Sequence, residues 1–590
     1  MGRSIVIVLG FVLPLLVGAE ESADLEVFFG DLHVHTRLSF DAWATNTRTT
    51  PDDAYRFAQG EAVPFKGGGT VQITEPLDFM AVTDHAEYLG VLQYTEDPDS
   101  PISKHPLAKD FASGDAARAV NGLYRVAMES MIRGAGTMKA DPVLYDEAIM
   151  RQTWTDLVET ANAHYKPGTF TTFAGFEWSS TPSTNMNLHR NVIFRGTEGL
   201  PERPYSFLDS DRPEDLWAWM DERREAGATV LAIPHNANMS GGHMYSLLDT
   251  DGEPISRAYA EVRARNEPLA EVAQIKGQSM IHPAFAPDDH FADFEIFNFT
   301  HSPWGDQSVQ PGSYVRPGLG LGLQAEAELG VNPFRIGVIG SSDGHNSYSP
   351  VEENGLRRDR DAAAAGRQDR IIQRGSGGVA AVWAKENTRE AIFDALARRE
   401  AYATTGTRIR ARFSGGWGIS PGDDEDALEG AVPMGGVLPQ CPENAEAPAF
   451  YLWAAKGPKD ANLDRLQIIK GWLDDDGRAR DKVFNVIWAG DRSLDEKGEL
   501  PDIGNTVDTA AATYDSSIGA ATLSGVWRDP EFDPDQRAFY YMRVLQIPTP
   551  RWTTYEAERD GTPLPENVPA TIQERAWTSA IWYSPNEKSE

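Results

Sequence analysis

Gly30-Asp31-Leu32-His33-Val34-His35-Thr36 closes an apolar run that begins at Val27, and the reading of the whole chain turns on this segment. Alternation along an extended strand places Asp31, His33 and His35 on one face and Leu32 and Val34 on the other. Two imidazoles two residues apart at a strand end suit one cation. Asp41 follows in the same loop, within reach of a neighbouring ion.

Similar endings recur downstream. Leu77 to Thr83 runs into Asp84-His85, Phe173 to Phe176 into Glu177, and Ala232-Ile233-Pro234 into His235. Arg335 to Gly340 runs into Ser341-Ser342-Asp343-Gly344-His345, a second pair of ligand types two residues apart. Seven short apolar runs alternate with stretches of helical composition: Val27 to Leu32, Leu77 to Thr83, Thr169 to Phe176, Thr229 to Pro234, Phe294 to Asn298, Arg335 to Gly340 and Val379 to Trp383. Parallel strands with intervening helices predict a closed α/β barrel. In such barrels the chemistry sits where strands end, and five of these runs end in His, Asp or Glu.

The motifs Asp31-Leu32-His33-x-His35-Thr36, Thr83-Asp84-His85, Glu177, His235 and Ser342-Asp343-Gly344-His345 resemble the signature of the polymerase-and-histidinol-phosphatase (PHP) superfamily over residues 27–410. The extended forms Thr83-Asp84-His85-Ala86-Glu87, His189-Arg190-Asn191-Val192 and Ala401-Tyr402-Ala403-Thr404-Thr405-Gly406 look closest to a branch known mainly as a domain of unknown function, similar to PHP hydrolases that cleave aryl carbamates. In this chain Asp41 lies six residues after His35, where many members have five.

The resemblance implies a distorted (β/α)7 TIM-like barrel, to which the texture of the later sequence adds a smaller β-rich C-terminal domain. It also implies a first metal on His33, His35, Glu177 and Asp343, a second on Asp41, His85 and His345, and a third on Glu177, His189 and His235, with Glu177 bridging. Two or three divalent transition-metal ions are expected, and mixed imidazole and carboxylate donors suit zinc, manganese or iron. The expected activity is hydrolysis by a metal-activated hydroxide, with His33, His35, Glu177 and Asp343 central to it. A phosphoester is the first substrate expectation, a carboxylic ester or carbamate the second, and a metal-free binding module is the alternative outside enzymes. Arg190, Lys276 and Arg408 are the cations expected to meet an anionic substrate. His105, His164, His243, His282, His290 and His301 fall outside the pattern and are expected to be non-catalytic.

Bulk composition bounds the remaining choices. At 590 residues two domains are expected, a barrel over 20–410 and a β-rich region over 411–590. The second rests on runs such as Ala449 to Ala455, Leu466 to Trp472, Val483 to Ala489, Ala538 to Gln546 and Ala576 to Tyr583. A formal charge of −34 leaves no basic excess for nucleic acid or an anionic membrane, so the expected partner is a small-molecule substrate. Cys441 is alone, which excludes an intrachain disulfide. Arg3, the apolar run Ile5 to Val17 and Val17-Gly18-Ala19 read as a leader over residues 1–19, cleaved on export to the periplasm or medium without a stable membrane anchor. The charged, Ala- and Gly-rich stretch Gly355 to Gly378 reads as a solvated excursion. Gly67-Gly68-Gly69 lacks the Lys and helix start of a phosphate loop, and Trp217 and Trp219 read as core or interface.

Overall fold

A computed structural model describes residues 25–585 except 66–67, 134–138, 183–185, 298, 300–308, 356–371, 424–427, 429 and 445. The expected leader, His301 and most of the Gly355 to Gly378 excursion lie outside the described residues. Among the described residues no helix is long and apolar enough to cross a membrane.

The architecture is mixed α/β. Its strands in chain order are β1 (Glu26–Val34), β2 (Phe79–Val82), β3 (Thr171–Trp178), β4 (Arg190–Phe194), β5 (Val230–Pro234), β6 (Leu269–Gln274), β7 (Gly337–Gly340), β8 (Val379–Ala384) and β9 (Ala401–Thr404). The C-terminal region is β-rich and adds β10 (Arg410–Gly416), β11 (Ala449–Ala455), β12 (Leu463–Leu473), β13 (Ala479–Trp488), β14 (Thr522–Arg528), β15 (Ala538–Gln546), β16 (Arg575–Thr578) and β17 (Ile581–Tyr583). A 12-stranded mixed sheet runs β13-β12-β15-β16-β9-β8-β1-β2-β3-β4-β5, with β17 beside β15. β6 and β7 form a separate parallel pair. β10, β11 and β14 belong to a four-stranded antiparallel sheet.

The expectation of seven parallel strands is corrected in two respects. The pairs β1–β2 and β2–β3 are parallel, but β1–β8, β3–β4 and β4–β5 are antiparallel. Phe294 to Phe297 is not a strand; its expected place in the series is taken by β6. Glu271 breaks the apolar run of β6, which is why that strand escapes a search for continuous hydrophobic stretches. Among the described residues the hydrogen-bonded ladder does not close on itself, although β5 packs against β6, and β7 against β8 and β9.

One buried core lies inside this curved wall. Phe28 and Leu32 of β1, Phe79 of β2, Phe173 of β3, Ile193 of β4, Ile233 of β5, Leu269 of β6, Ile339 of β7 and Val382 of β8 share a single cluster. Each fully buried large apolar side chain contributes about 1.5–3 kcal/mol, so this cluster anchors the strand ends that carry polar groups. The helix Arg389–Arg398 adds Ile392, Phe393 and Leu396 to it. That helix starts at Thr388, whose hydroxyl accepts from Ala391 N, and ends on Arg399 in the left-handed region.

The C-terminal strands are tied to the first part of the chain in two ways. β16 pairs with β9, extending the main sheet. Asp289 is buried between two cations: Arg543 of β15 donates to it at 2.6 and 2.9 Å, and Arg316 at 2.7 Å. Burial opposes ionisation of Asp289, but Arg543 and Arg316 outweigh it and hold the carboxyl well below the ordinary range.

Removing one partner of such a triad leaves buried charge uncompensated, which typically costs about 3–5 kcal/mol. Asp289→Asn is therefore expected to lower the urea midpoint strongly at pH 7. Asp394→Asn, which breaks an exposed pair with Arg195, should change stability by about 1 kcal/mol or less. Because the Asp289 pKa is depressed in the fold, its contribution is present above about pH 4 and is lost as pH falls below that. The gap between wild type and Asp289→Asn should narrow in acid; a constant gap would contradict the assignment.

Candidate metal centre

β1 delivers the first two donors, but not by simple alternation. Leu32 joins the inner core with Phe28, whereas Val34 joins the outer one with Phe29. The pairing with β2 shifts register between Asp31 and Val34. An irregularity of this kind re-aims side chains, and it corrects the expectation that Leu32 and Val34 share a face. Asp31 stays behind the motif, its Oδ1 accepting from His33 N and Ser342 N at 3.1 and 3.0 Å.

The other donors reach the same end of the wall by different routes. His85 follows β2, Glu177 is near the end of β3, and His235 follows β5. β4 runs antiparallel to its neighbours, so its start, just after His189, lies at the end where β3 and β5 finish. Asp343 adopts a left-handed backbone with φ of 52°, a conformation a residue with a Cβ holds only where its surroundings enforce it.

All nine expected ligands come together. His33 Nε2 and His35 Nε2 are 3.1 Å apart; Glu177 Oε2 lies 3.3 and 3.1 Å from them, and Asp343 Oδ1 lies 3.4 and 3.3 Å from them. Ligand atoms about 2.0–2.1 Å from a tetrahedrally held zinc ion are about 3.3 Å from one another, so these five separations are those of atoms sharing one cation. In a second group, Asp41 Oδ2 is 2.8 Å from His345 Nε2 and 3.3 Å from His85 Nε2. In a third, Glu177 Oε1 is 2.6 Å from His189 Nδ1 and 3.1 Å from His235 Nε2. Glu177 thus serves two groups with two different oxygens.

The hydrogen bonds behind the rings set which nitrogen faces inward. His33 Nδ1 lies 2.9 Å from Glu271 Oε2, and His345 Nδ1 lies 2.9 Å from the Asp343 carbonyl. His35 Nδ1 lies 2.9 Å from Ser39 Oγ, whose hydroxyl donates onward to Asp84 at 2.9 Å. With the proton of a neutral ring on each of these Nδ1 atoms, each Nε2 turns a lone pair toward the carboxylates. Asp343 Oδ1 is buried and makes no well-formed hydrogen bond among the described residues. Converging lone pairs of this kind repel unless positive charge lies among them.

The titration behaviour expresses the same demand. At His33 burial opposes protonation, yet Asp343 and Glu271 hold its pKa well above the ordinary value. His85 is likewise opposed by burial but pushed up to about 10 by Glu177 and Asp41. Burial opposes ionisation of Glu177, and the charges of His85 and His235 still keep it well below the carboxylate range. His189 is pushed down to about 4 by burial, which favours the neutral ligand form. Buried His, Asp and Glu groups here are therefore able to hold metal ions.

The three expected substrate cations separate. Lys276 is at the site, its Nζ paired with Asp343 Oδ2. Arg190 is not: its guanidinium is 1% exposed, pairs with Glu267 Oε1 at 2.8 Å and donates to the Leu188 carbonyl. Trp217 and Arg263 complete the Glu267 environment, so Arg190 is a core residue although His189 beside it faces Glu177. Arg408 is also elsewhere, buried over the Phe29 ring and donating to the Glu75 carbonyl. Of the histidines expected to be non-catalytic, His105, His164 and His290 face Asp141, Asp52 and Glu499, His282 caps a short helical turn, and none of these, nor His243, joins a donor group. Sequence reading missed Glu271, which is 1% exposed and grouped with His33 and His235.

A family model described as a protein of unknown function (DUF3604) matches residues 22–585, and the chain belongs to that family. No curated protein and no solved structure matches it.

Because the donor groups carry unbalanced lone pairs, chelation is expected to lower the thermal midpoint and added metal to restore it. Free cation at a thousand times its Kd would stabilise the fold by about 4.1 kcal/mol. Differential scanning fluorimetry with and without a strong chelator tests this; an unchanged midpoint in both directions would count against cation binding at these groups.

Proposed function

We propose that this member of the DUF3604 family is an exported metal-dependent hydrolase of ester-type bonds, holding two or three divalent transition-metal ions, with a phosphoester as its first substrate class. The observation that carries this reading is Glu177, whose Oε2 faces His33 and His35 while Oε1 faces His189 and His235. A carboxylate split in this way suits two adjacent cations. Zinc, manganese and iron all suit its mixed donors. When bound, such cations acidify a coordinated water and polarise the bond under attack.

The fold is read alongside as a distorted barrel of the PHP kind, β1 to β7 being its seven staves and β8 an antiparallel closure. Support comes from the inner core, to which every one of those strands contributes, and from the packing of β5 on β6 and β7 on β8. The expected leader over residues 1–19 supports export.

The chain's own groups supply positioning and charge. Ser39 and Asp84 lock His35 from behind. Lys276 holds Asp343 through Oδ2 and leaves Oδ1 facing His33 and His35. With its side chain 14% exposed, Lys276 is the cation in place to meet an anionic oxygen of substrate. The Phe40 ring lies 4.8 Å from the His85 ring and offers an apolar surface beside the donors.

A second reading, hydrolysis of a carboxylic ester or carbamate, is favoured by a specific observation. Arg190 and Arg408 are committed elsewhere, so a phosphate would find Lys276 alone of the three.

Aryl phosphomonoesters, phosphodiesters, carboxylic esters and carbamates offered to wild type, Glu177→Ala and Lys276→Met separate these readings. Glu177→Ala should abolish turnover on the best substrate, and wild-type turnover in that variant would sink the hydrolase reading. Lys276→Met should raise KM for phosphates with kcat less affected, which is the signature of lost substrate binding. Equal effects on phosphates and neutral esters would remove Lys276 as the anion contact.

A further inference from the structure

One fully buried carboxylate at the site lies outside the nine expected ligands. Glu271 lies in β6, and its Oε2 is 2.9 Å from His33 Nδ1. Its other oxygen accepts from Gln274 Nε2 at 3.1 Å. Gln274 in turn uses Oε1 to accept from Lys276 N at 2.9 Å, and Lys276 Nζ reaches Asp343. The chain turns back here, with Gly277–Gln278 pairing antiparallel to Ala273–Gln274. Gly277 has φ of 83°, and a Cβ there would lie 2.4 Å from the Glu295 carbonyl oxygen, so this turn is built around glycine. One hairpin therefore touches His33 and Asp343, two donors of the same group, from behind.

A neutral imidazole has one lone pair and one N–H. If His33 Nδ1 donates to Glu271, its lone pair is at Nε2, the atom 3.3 Å from Glu177 Oε2 and 3.4 Å from Asp343 Oδ1. Without an acceptor at Nδ1, His33 is free to take the other tautomer and turn a proton into the donor group. Buried metal-binding histidines are commonly held by a carboxylate in this way, and losing it weakens metal affinity about 10–100-fold. Glu271 and its donors at His33 and His235 also lie within 4.8 Å of one another, so direct ligation is the competing role.

We propose that Glu271 is a positioning residue for His33, fixing the tautomer and ring angle that present Nε2, and that Gln274 holds Glu271 in place. This rests on the metal-binding reading above. The chemistry is an acceptor that makes a donor better, not an added ligand.

The test is a competition titration of Zn²⁺ and Co²⁺ against a chromophoric chelator, on wild type, Glu271→Gln, Glu271→Ala and Gln274→Ala. Circular dichroism of the metal-free proteins checks folding; if Glu271→Ala fails to fold, Glu271→Gln carries the test. The expected result is an unchanged number of ions at saturation and an affinity weakened about 10–100-fold in Glu271→Ala. Smaller losses in the same direction are expected for Glu271→Gln and Gln274→Ala, with a shifted Co²⁺ visible spectrum. Wild-type affinity and spectrum in both Glu271 variants would overturn the proposal. So would loss of one ion per chain at saturation, which would make Glu271 a ligand. A wild-type protein that takes up neither metal would instead remove the metal-binding reading on which the proposal rests.

Discussion

The structure depends on one electrostatic constraint: His33 Nε2 and His35 Nε2 lie 3.1 Å apart in a buried space, and Glu177 Oε2 and Asp343 Oδ1 each approach both of them to within 3.1–3.4 Å. None of the four is turned away, because the opposite side of each imidazole is engaged by Glu271 or Ser39. In a low-dielectric interior such an arrangement is stable only with compensating positive charge. Protons can supply part of it, as the raised pKa values of His33 and His85 indicate. Divalent cations would supply more charge, and the separations among the ring nitrogens and carboxylates suit them.

The irregular features of the fold gain a physical reason in this light. An uninterrupted β1 would keep strict alternation; the shift between Asp31 and Val34 departs from it at the segment that carries His33. An all-parallel wall would put the start of β4, and His189, at the far end; reversal of β4 brings them to the donors. The left-handed backbone at Asp343 is held in part by its N–H bond to the His33 carbonyl at 2.8 Å. The strain is local, and the inner core from Phe28 to Val382 anchors the strands against it.

Much of this was legible in the sequence for a simple reason. A strand end at the mouth of an α/β wall places a polar side chain next to an apolar run, and His33, His85, Glu177, His235 and Asp343 all show that junction. What escaped lacks it. Glu271 is inside its strand and interrupts the apolar pattern, which hides the residue and the strand together, whereas the apolar run Phe294 to Asn298 mimics a strand in sequence. Arg190 misled because adjacency to His189 says nothing about direction: successive residues of a strand point to opposite faces, and its partner Glu267 is 77 positions away. Arg408 is likewise committed to the Glu75 carbonyl, 333 positions away.

The most direct measurement of the central claim is an anomalous-difference map from crystals grown in metal-replete conditions, recorded at the absorption edges of zinc, manganese and iron. The account predicts one peak about 2.0–2.2 Å from His33 Nε2, His35 Nε2, Glu177 and Asp343, and at least one further peak sharing the Glu177 carboxylate. A map with no peak among these side chains, and histidines hydrogen-bonded directly to the carboxylates, would contradict it.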